Sequence, residues 1–381
     1  QVLQVEDGND ISAVDQAIED AKVDDRPSLI VCRTHIGFGL PTKQDTAAAH
    51  GSPPGDDELN AAKEKMDWPQ EPRFFIPEEA LGIFRQAIQI GEEREAAWQN
   101  LMAGYEKEYP DLAAELNRRL TGELPQKWQV PEFPADEKGM ATRAASGKVL
   151  NALADQIPEL LGGSADLAPS NKTWLDGEVD FQPRQYQGRN FHFGVREHAM
   201  GAVVNGMALY GGLIPYGGTF LVFSDYMRPA VRLSALSHIP SIWVYTHDSI
   251  GVGEDGPTHQ PIEHLAALRS IPRLTVLRPA DANETAQAWV YAISNRDGPT
   301  ALALSRQSLP VIDRSRFQGA EGLHKGAYLL ADLGESPPEV VLMASGSEVA
   351  LIIKAGETLA DQGVSVRLVS FPSWELFRQQ D

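Results

Sequence analysis

Helix-like and strand-like segments alternate along residues 140–308, and this alternation limits the folds open to the chain. Apolar runs such as SIWVYT and TALALS are short enough for buried strands, and amphipathic stretches such as DANETAQAWVYAISN separate them. Strands that alternate with helices in this way form parallel sheets with helices packed on both faces. We therefore predict an α/β fold with doubly wound, mostly parallel sheets.

The rest of the chain divides around this region. Residues 1–75 hold an amphipathic helix, ISAVDQAIEDAK, and the apolar run PSLIVCRT, which suits a buried parallel strand. Residues 76–138 hold two helical stretches and a proline-rich linker, GELPQKWQVPEFPADEKG. The α/β region fills 139–322, and a further strand–helix–strand unit begins in 323–381. The chain starts without Met and stops just after a strand, so we expect it to continue at both ends.

The charge and cysteine content exclude several classes of protein. The net charge of −20 disfavours nucleic acid and anionic membrane surfaces, which both require clustered Lys and Arg. No apolar run approaches the roughly 20 residues that span a bilayer. The single cysteine, Cys32, cannot form an internal disulfide, and this suits a reducing cytoplasm.

Most of the acids and bases suited to catalysis occur in two glycine-rich stretches, FHFGVREHAM and THDSIGVGEDGPTHQPIE. Glu197 follows the apolar strand NFHFGV and opens a helix, whereas His247 ends a later strand, SIWVYT, and is followed by Asp255 and His259. Polar groups at the ends of buried strands are where α/β proteins place their active sites. The pattern therefore predicts an enzyme.

Each of these residues also has a purely structural interpretation. Glu197 can be a first-turn acid that interacts with the helix dipole, and a lone histidine is usually satisfied by backbone partners. Several imidazoles and carboxylates in one loop pair make the second interpretation less favourable. A metal site lacks a recognisable ligand spacing such as HExxH, and no GxSxG motif indicates a serine nucleophile.

Three further residues indicate how a phosphorylated ligand could be held. Arg143 and Arg306 lie at the two ends of the α/β region, and Arg306 directly follows a buried strand. In so acidic a chain an arginine there is a candidate for bidentate phosphate binding, although most arginines are simply solvated. Ser170 could add a hydroxyl donor.

The segment GTFLVFSDY carries three aromatic residues, Phe220, Phe223 and Tyr226. They either pack in the core or form a wall on which a flat ring stacks.

The strings GGSADLAPSN, FGVREHAMGA, GGTFLVFSDYMRPAVRLSALS and THDSIGVGEDGPTHQPIEHLAALR closely resemble the transketolase family. These are thiamine-diphosphate enzymes of the pentose phosphate pathway and the Calvin cycle. RTHIGFG and AAAHGSPPG match a loop of the same family, so the resemblance covers essentially the whole chain. By this resemblance, 1–75 is the end of the pyrophosphate-binding domain, 139–322 the pyrimidine-binding domain, and 323–381 the start of the C-terminal domain.

The resemblance also implies a reaction and roles for individual residues. A two-carbon ketol group passes from a ketose phosphate to an aldose phosphate through the thiamine-diphosphate ylid. Glu197 would activate the aminopyrimidine, with Phe220, Phe223 and Tyr226 around the ring and Asp166 in a cofactor-contact loop. The sugar phosphate would be held by four residues: Arg143, Ser170, His247 and Arg306. Asp255 would bind a sugar hydroxyl, and His50 and His259 would line the reacting centre. The candidate catalytic histidines are His50, His247 and His259, and His50 would also contact the cofactor.

One part of the family pattern is missing. The family binds Mg²⁺ or Ca²⁺ and the diphosphate through a GDG motif and a downstream Asn, and neither EDGND nor PGDDE has the corresponding context. We therefore expect the metal ligands to lie outside this chain, and the isolated chain to be inactive. The resemblance further implies a homodimer with the active site at the subunit interface. A dihydroxyacetone synthase-like enzyme and a non-catalytic fragment remain as alternatives.

Overall fold

The computed structural model describes residues 1–380, which form two compact units, residues 1–103 and 104 onward. The first unit contains a two-stranded parallel sheet, β1 with β2. Its elements, in chain order, are β1 (Val2–Val5), α1 (Ile11–Lys22), β2 (Leu29–Cys32), a 3₁₀ turn (Ala47–Ala49), α2 (Asp56–Lys65) and α3 (Glu78–Glu108), whose last turn belongs to the second unit.

Two predictions for the first unit have different outcomes. Helix α1 begins and ends where the sequence pattern places it. Its first turn is capped by the Asp10 side chain, which accepts a hydrogen bond from the Ala13 amide. The prediction of a buried strand at PSLIVCRT is wrong as to burial. Strand β2 is parallel to β1, but Leu29, Val31 and Cys32 are exposed because a two-stranded sheet leaves its faces open.

The second unit holds the alternating α/β region. Its elements are α4 (Pro110–Thr121), β3 (Asp136–Ala141), α5 (Thr142–Ala154), β4 (Leu160–Ser164), α6 (Ala168–Asn171), β5 (Asn190–His192), α7 (Glu197–Tyr210), β6 (Ile214–Phe220), α8 (Arg228–Leu236), β7 (Ile242–Thr246), α9 (His264–Arg269), β8 (Thr275–Leu277), α10 (Ala282–Ser294), β9 (Thr300–Leu304), β10 (Ser308–Val311), β11 (Tyr328–Leu333), β12 (Val340–Ala344), α11 (Glu348–Asp361), β13 (Val366–Ser370) and α12 (Trp374–Phe377).

A six-stranded parallel sheet forms the centre of this unit, in the order β5-β4-β6-β7-β9-β8. This confirms the predicted doubly wound α/β fold. Strands β4, β6, β7 and β9 are buried along their whole length, as expected for a parallel sheet covered on both faces. One apolar cluster, which includes Leu150, Val244 and Trp289, packs around the sheet, and a second one includes Met200, Val231 and Trp243.

Two smaller sheets accompany the central one. Strand β10 pairs antiparallel with β3, so the last residues of the predicted linker form a strand rather than an irregular segment. In the C-terminal part, β13 lies between β11, which is antiparallel to it, and β12, which is parallel. The division into domains at 75, 138 and 322 stays a prediction.

Within residues 1–380, no helix combines the length and the apolar character that crossing a lipid bilayer requires.

Candidate active site

The carboxyl ends of three neighbouring strands, β6, β7 and β9, bring candidate residues to one edge of the sheet. Phe220 ends β6, His247 follows β7, and Ser305 and Arg306 follow β9. Because these strands are neighbours and parallel, their carboxyl ends meet at the same edge. Arg143 joins them from the start of α5, where its backbone N–H donates to the Ser305 carbonyl at 3.3 Å.

His247 lies at the centre of this group. Only 2% of its surface is exposed, and its φ of 61° is in the left-handed region, which costs a non-glycine residue about 1 kcal/mol. Its ring stacks on that of Phe220, with 3.7 Å between the ring centroids. Its Nε2 lies 3.4 Å from Nη1 of Arg143 and 4.0 Å from Oδ2 of Asp255. The ring is therefore packed on one side and faces charged groups at its edge.

A chain of hydrogen bonds fixes the proton on this histidine. The Thr246 hydroxyl donates to Oδ1 of Asn171 at 3.0 Å, which leaves the Thr246 oxygen to accept from Nδ1–H of His247 at 2.9 Å. Arginine can only donate, so Nε2 of His247 must be the acceptor of the Arg143 contact. If the Asn171 amide were turned round, its NH₂ group would donate to Thr246, and the Thr246 hydroxyl would donate to Nδ1 of His247. The ring proton would then be on Nε2, where it would face an N–H of Arg143. His247 is therefore neutral and protonated at Nδ1.

The charge state of His247 follows from its surroundings. Burial and the positive charge of Arg143 together lower the pKa of His247 to about 4, although Asp255 opposes the shift. At neutral pH the ring therefore presents an unprotonated Nε2 to the space that it shares with Arg143 and Asp255.

Two arginines approach this space from different directions. Nη1 of Arg143 donates to the Ser170 carbonyl at 2.8 Å, so Ser170 contacts Arg143 through its backbone rather than its hydroxyl. Burial and the nearby Arg306 lower the pKa of Arg143. Nη2 of Arg306 donates to Glu254 at 2.9 Å, and its Nε lies 3.4 Å from Oδ2 of Asp255. Two positive groups thus stand close together in a strongly acidic chain.

The loop after β7 carries the acids that pair with Arg306. It forms 3₁₀ turns at Gly253–Asp255 and Pro257–His259. Gly253 and Gly256 have φ values of 72° and 78°, a conformation that side chains strain to adopt. A hydrogen bond from its own backbone and the charge of Arg306 lower the pKa of Glu254. The glycines therefore let the loop fold back so that its carboxylates reach the end of β9.

The aromatic residues form a ladder that begins at His247. Phe220 and Phe223 are stacked with centroids 5.7 Å apart, and Phe223 and Tyr226 with centroids 6.1 Å apart. His259 meets the Phe223 ring edge-on at 5.3 Å. Phe220 is buried, Phe223 is half-buried and Tyr226 is 65% exposed, so the ladder opens toward the surface. A ladder of this kind suits both packing and the stacking of a flat ring.

Glu197 occupies the position that the sequence predicts. It is the first residue of α7, after β5, and is only 8% exposed. Within residues 1–380, its carboxylate has no hydrogen-bond or ion-pair partner in the protein. Burial of the residue limits the water that can reach this carboxylate, so a hydrogen-bond donor on a bound group would be favourable there. Glu197 is therefore suited to accept a hydrogen bond from a bound group.

Asp166 and His50 are the other two predicted residues. Asp166 follows β4 with a φ of 58° and lines a cavity of about 400 Å³ with Trp174, Phe191 and others. His50 belongs to the first unit, directly after its 3₁₀ turn, and is exposed. Their cofactor and substrate roles stay predictions.

The sequence interpretation missed several residues that organise this site. Asn171 and Thr246 fix the tautomer of His247, and Arg278 pairs with the buried carboxylate of Asp248 at 2.8 Å. Thr246 and Asn171 stand next to chosen residues in the quoted motifs, which is the only sequence signal they give. A possible cation cluster is formed by Asp225, Glu263 and His264. Arg228 pairs with Asp225, and Asp225 also lies 3.1 Å from Nε2 of the buried His264, so side chains of the protein already surround this carboxylate.

The fold and these contacts define an α/β domain with charged groups and stacked aromatic rings at the carboxyl ends of its parallel strands. Three family models match the chain: the thiamine diphosphate binding domain of transketolase over residues 1–125, the transketolase pyrimidine binding domain over 138–311, and the transketolase-like C-terminal domain over 326–381. The chain belongs to the transketolase family.

Individual relatives agree with this result. The chain is 51% identical to a transketolase of Geobacillus stearothermophilus and 50% identical to one of Aquifex aeolicus. Each alignment includes 100% of this chain, and it covers 57% of the first relative and 55% of the second. It also resembles the crystal structure of a Pichia stipitis transketolase complex with sedoheptulose-7-phosphate, with a TM-score of 0.93 at 42% identity over the whole chain and 57% of that protein. The chain thus spans just over half the length of these relatives.

Proposed function

We propose that this chain forms part of an enzyme that transfers a two-carbon ketol group from a ketose phosphate to an aldose phosphate with thiamine diphosphate. The observation that carries the proposal is the cluster of Arg143, Arg306 and the neutral Nε2 of His247 at the start of an aromatic ladder. Arginines supply planar donors for phosphate oxygens, and a stack of rings accommodates a flat heterocycle. The Pichia stipitis relative was crystallised with a sugar phosphate, which supports the substrate class.

The residues present fit the cofactor. Glu197 offers a buried carboxylate without a protein partner, and Phe223 and Tyr226 extend the stacked rings from the buried Phe220 outward. When bound, thiamine diphosphate supplies a carbon nucleophile that carries the ketol unit. Glu197 would hold a proton at the pyrimidine ring, and the aromatic residues would orient that ring. Asp166 would contact the cofactor from the end of β4.

The substrate would be held by the groups around His247. Arg143 and Arg306 would bind the phosphate, and Ser170 keeps Arg143 in place through its carbonyl. Asp255 would accept a hydrogen bond from a sugar hydroxyl, and His259 and His50 would line the reacting centre. Arg306 must leave its contact with Glu254 to bind a phosphate fully, which is feasible because Glu254 is exposed and such pairs contribute little.

The divalent cation, Mg²⁺ or Ca²⁺, is proposed to be held by residues other than these, because the 381 residues contain no GDG motif.

We propose a homodimer on the basis of apolar residues exposed on α7 and α8: Val203, Leu209, Tyr210, Leu233 and Leu236. A reducing cytoplasmic location agrees with the single cysteine. The pentose phosphate pathway or the Calvin cycle is the corresponding metabolic setting.

Replacement of Glu197 tests the proposed activity. In the intact protein with its cofactor and metal, Glu197→Gln should lower kcat by about two orders of magnitude or more, because proton transfer by a positioned group typically contributes that much. Glu78→Gln is the matched control, since Glu78 is also the first residue of a helix but is exposed. Normal turnover by the Glu197 variant would reject the proposed role.

The 381-residue chain by itself should be inactive. It resembles, with a TM-score of 0.50 at 28% identity, a protein described as a split-gene transketolase in the form of an inactive β4 tetramer, covering 62% of this chain and 73% of that one. Calorimetry should show weak binding of thiamine diphosphate to the chain even with Mg²⁺. Tight, metal-dependent binding would show that the chain holds the metal after all.

A further inference from the structure

The C-terminal part of the chain reaches the candidate active site through one buried arginine. Arg278 follows β8 and is 7% exposed. Its Nε donates to Oδ2 of Asp248 at 2.8 Å, and Asp248 directly follows His247. The Asp248 carboxylate is almost wholly buried. The arginine is therefore its charge partner inside the protein.

The opposite side of Arg278 is held by the turn between β12 and α11. Nη1 donates to the Ser345 carbonyl at 3.0 Å, Nη2 donates to the Ser347 hydroxyl at 3.2 Å, and the guanidinium also pairs with Glu348. The backbone of Arg278 is held as well, since the Gly346 amide donates to its carbonyl at 3.0 Å. Its position is thus fixed by residues 345–348.

The turn approaches so closely that it has no room for a side chain at Gly346. A Cβ added there would lie 2.7 Å from Nε of Arg278, and the residue has a φ of 57°. The glycine therefore lets the turn close over the guanidinium.

His247 needs this support because of its backbone. A left-handed conformation at a residue other than glycine persists only where the surrounding structure fixes it. Before His247, Thr246 is held in the sheet. After it, Asp248 has two anchors: its amide donates to the Leu304 carbonyl at 3.1 Å, and its carboxylate accepts from Arg278. If the carboxylate were released, only the first of these two anchors on Asp248 would remain.

We propose that Arg278 is a positioning residue for His247: clamped by the turn at 345–348, it fixes Asp248 and thereby the left-handed backbone that directs Nε2 of His247 toward Arg143. This gives the C-terminal part of the chain a role in substrate binding. The inference rests on the proposed function of His247 in holding the sugar phosphate. It concerns how the ring is aimed, and Arg278 itself contacts neither substrate nor cofactor in this arrangement.

The test compares Arg278→Lys with Arg316→Lys in the intact protein. Lysine keeps the positive charge, but it has one side-chain nitrogen where arginine has three. It therefore cannot donate hydrogen bonds to Asp248 and to the turn at 345–348 at the same time. Arg316 is the matched control, since it lies in the same part of the chain and pairs with Glu357 at the surface. For Arg278→Lys we expect a KM for the phosphorylated aldose about tenfold higher, with kcat within about twofold and the KM of an unphosphorylated aldehyde unchanged. The control should keep all three values.

Equal losses with both aldehydes at unchanged KM would mean that Arg278 only supports folding, and would overturn the inference. An unchanged KM in a folded variant would overturn it too. If Arg278→Lys does not fold, Glu348→Gln decides the question, because Glu348 is half-exposed and forms the outer part of the clamp. It should raise the same KM by a smaller factor, and no rise would contradict the proposal.

Two further measurements separate this inference from the proposed function. If His247→Ala leaves the preference for phosphorylated substrates intact, the phosphate role of His247 is wrong. The positioning role is then decided by ¹⁵N NMR of the His247 ring in the 381-residue chain without ligands. Arg278→Lys should increase the share of the Nε2–H tautomer, and identical tautomer populations in both proteins would refute positioning.

Discussion

The hydroxyl of Thr246 is the smallest group whose removal would disturb the candidate site. It is fully buried, donates to Asn171 at 3.0 Å and accepts from Nδ1 of His247 at 2.9 Å. Thr246→Val keeps the shape of the side chain but leaves both partners unpaired in the interior. Each buried group that loses its partner costs about 1–3 kcal/mol, so the two together should lower the free energy of unfolding by about 2–6 kcal/mol.

Thr219→Val is a matched control for this change. Thr219 lies on the neighbouring strand β6 and is also fully buried, but its hydroxyl has no hydrogen-bond partner within residues 1–380. Its replacement removes an unpaired polar group, so stability should stay the same or rise. Urea unfolding of both variants gives the comparison, with ¹⁵N NMR of the His247 ring as a second readout. Equal stabilities, or an unchanged Nδ1–H tautomer in Thr246→Val, would refute the hydrogen-bond chain.

The remaining predictions concern charge in the site. Arg306→Gln should raise the KM for phosphorylated sugars by about tenfold or more and leave unphosphorylated ones nearly unchanged; an equal effect on both would argue against phosphate binding. Glu254→Gln should lower the KM for the same phosphorylated sugars severalfold, because it removes the carboxylate that competes for Arg306; a higher KM would contradict that competition. Burial holds the pKa of His247 at about 4, below its unfolded value of about 6.5, so the unfolded chain takes up the proton first as the pH falls. The chain should therefore lose about 3 kcal/mol of stability between pH 6.5 and 4, relative to His247→Asn, as measured by urea unfolding; parallel pH profiles would exclude this contribution.

The central sheet could be predicted because its strands are short, apolar and separated by amphipathic helices. The run SIWVYT became β7 and TALALS became β9, with His247 and Arg306 directly after them, as the pattern indicates. Helix α7 likewise starts at Glu197. Local periodicity and strand ends carry this information, and both are visible in a single sequence.

Other features depend on contacts between distant residues. Strand β3 begins in the proline-rich linker, where apolar and polar residues do not alternate. It forms because it pairs with β10, and the chain between the two strands makes up more than half of the second unit. Strand β8 has only three residues, too few for a pattern. The left-handed backbone of His247 and its links to Asn171 and Arg278 arise only when separate strands and turns come together.

A crystal structure of the intact protein with thiamine diphosphate tests the central claim most directly. We expect the Glu197 carboxylate to accept or share a hydrogen bond with a nitrogen of the pyrimidine ring, and that ring to stack against Phe223. A structure with Glu197 in contact only with solvent, and with the cofactor ring bound away from the aromatic ladder, would contradict the proposed site.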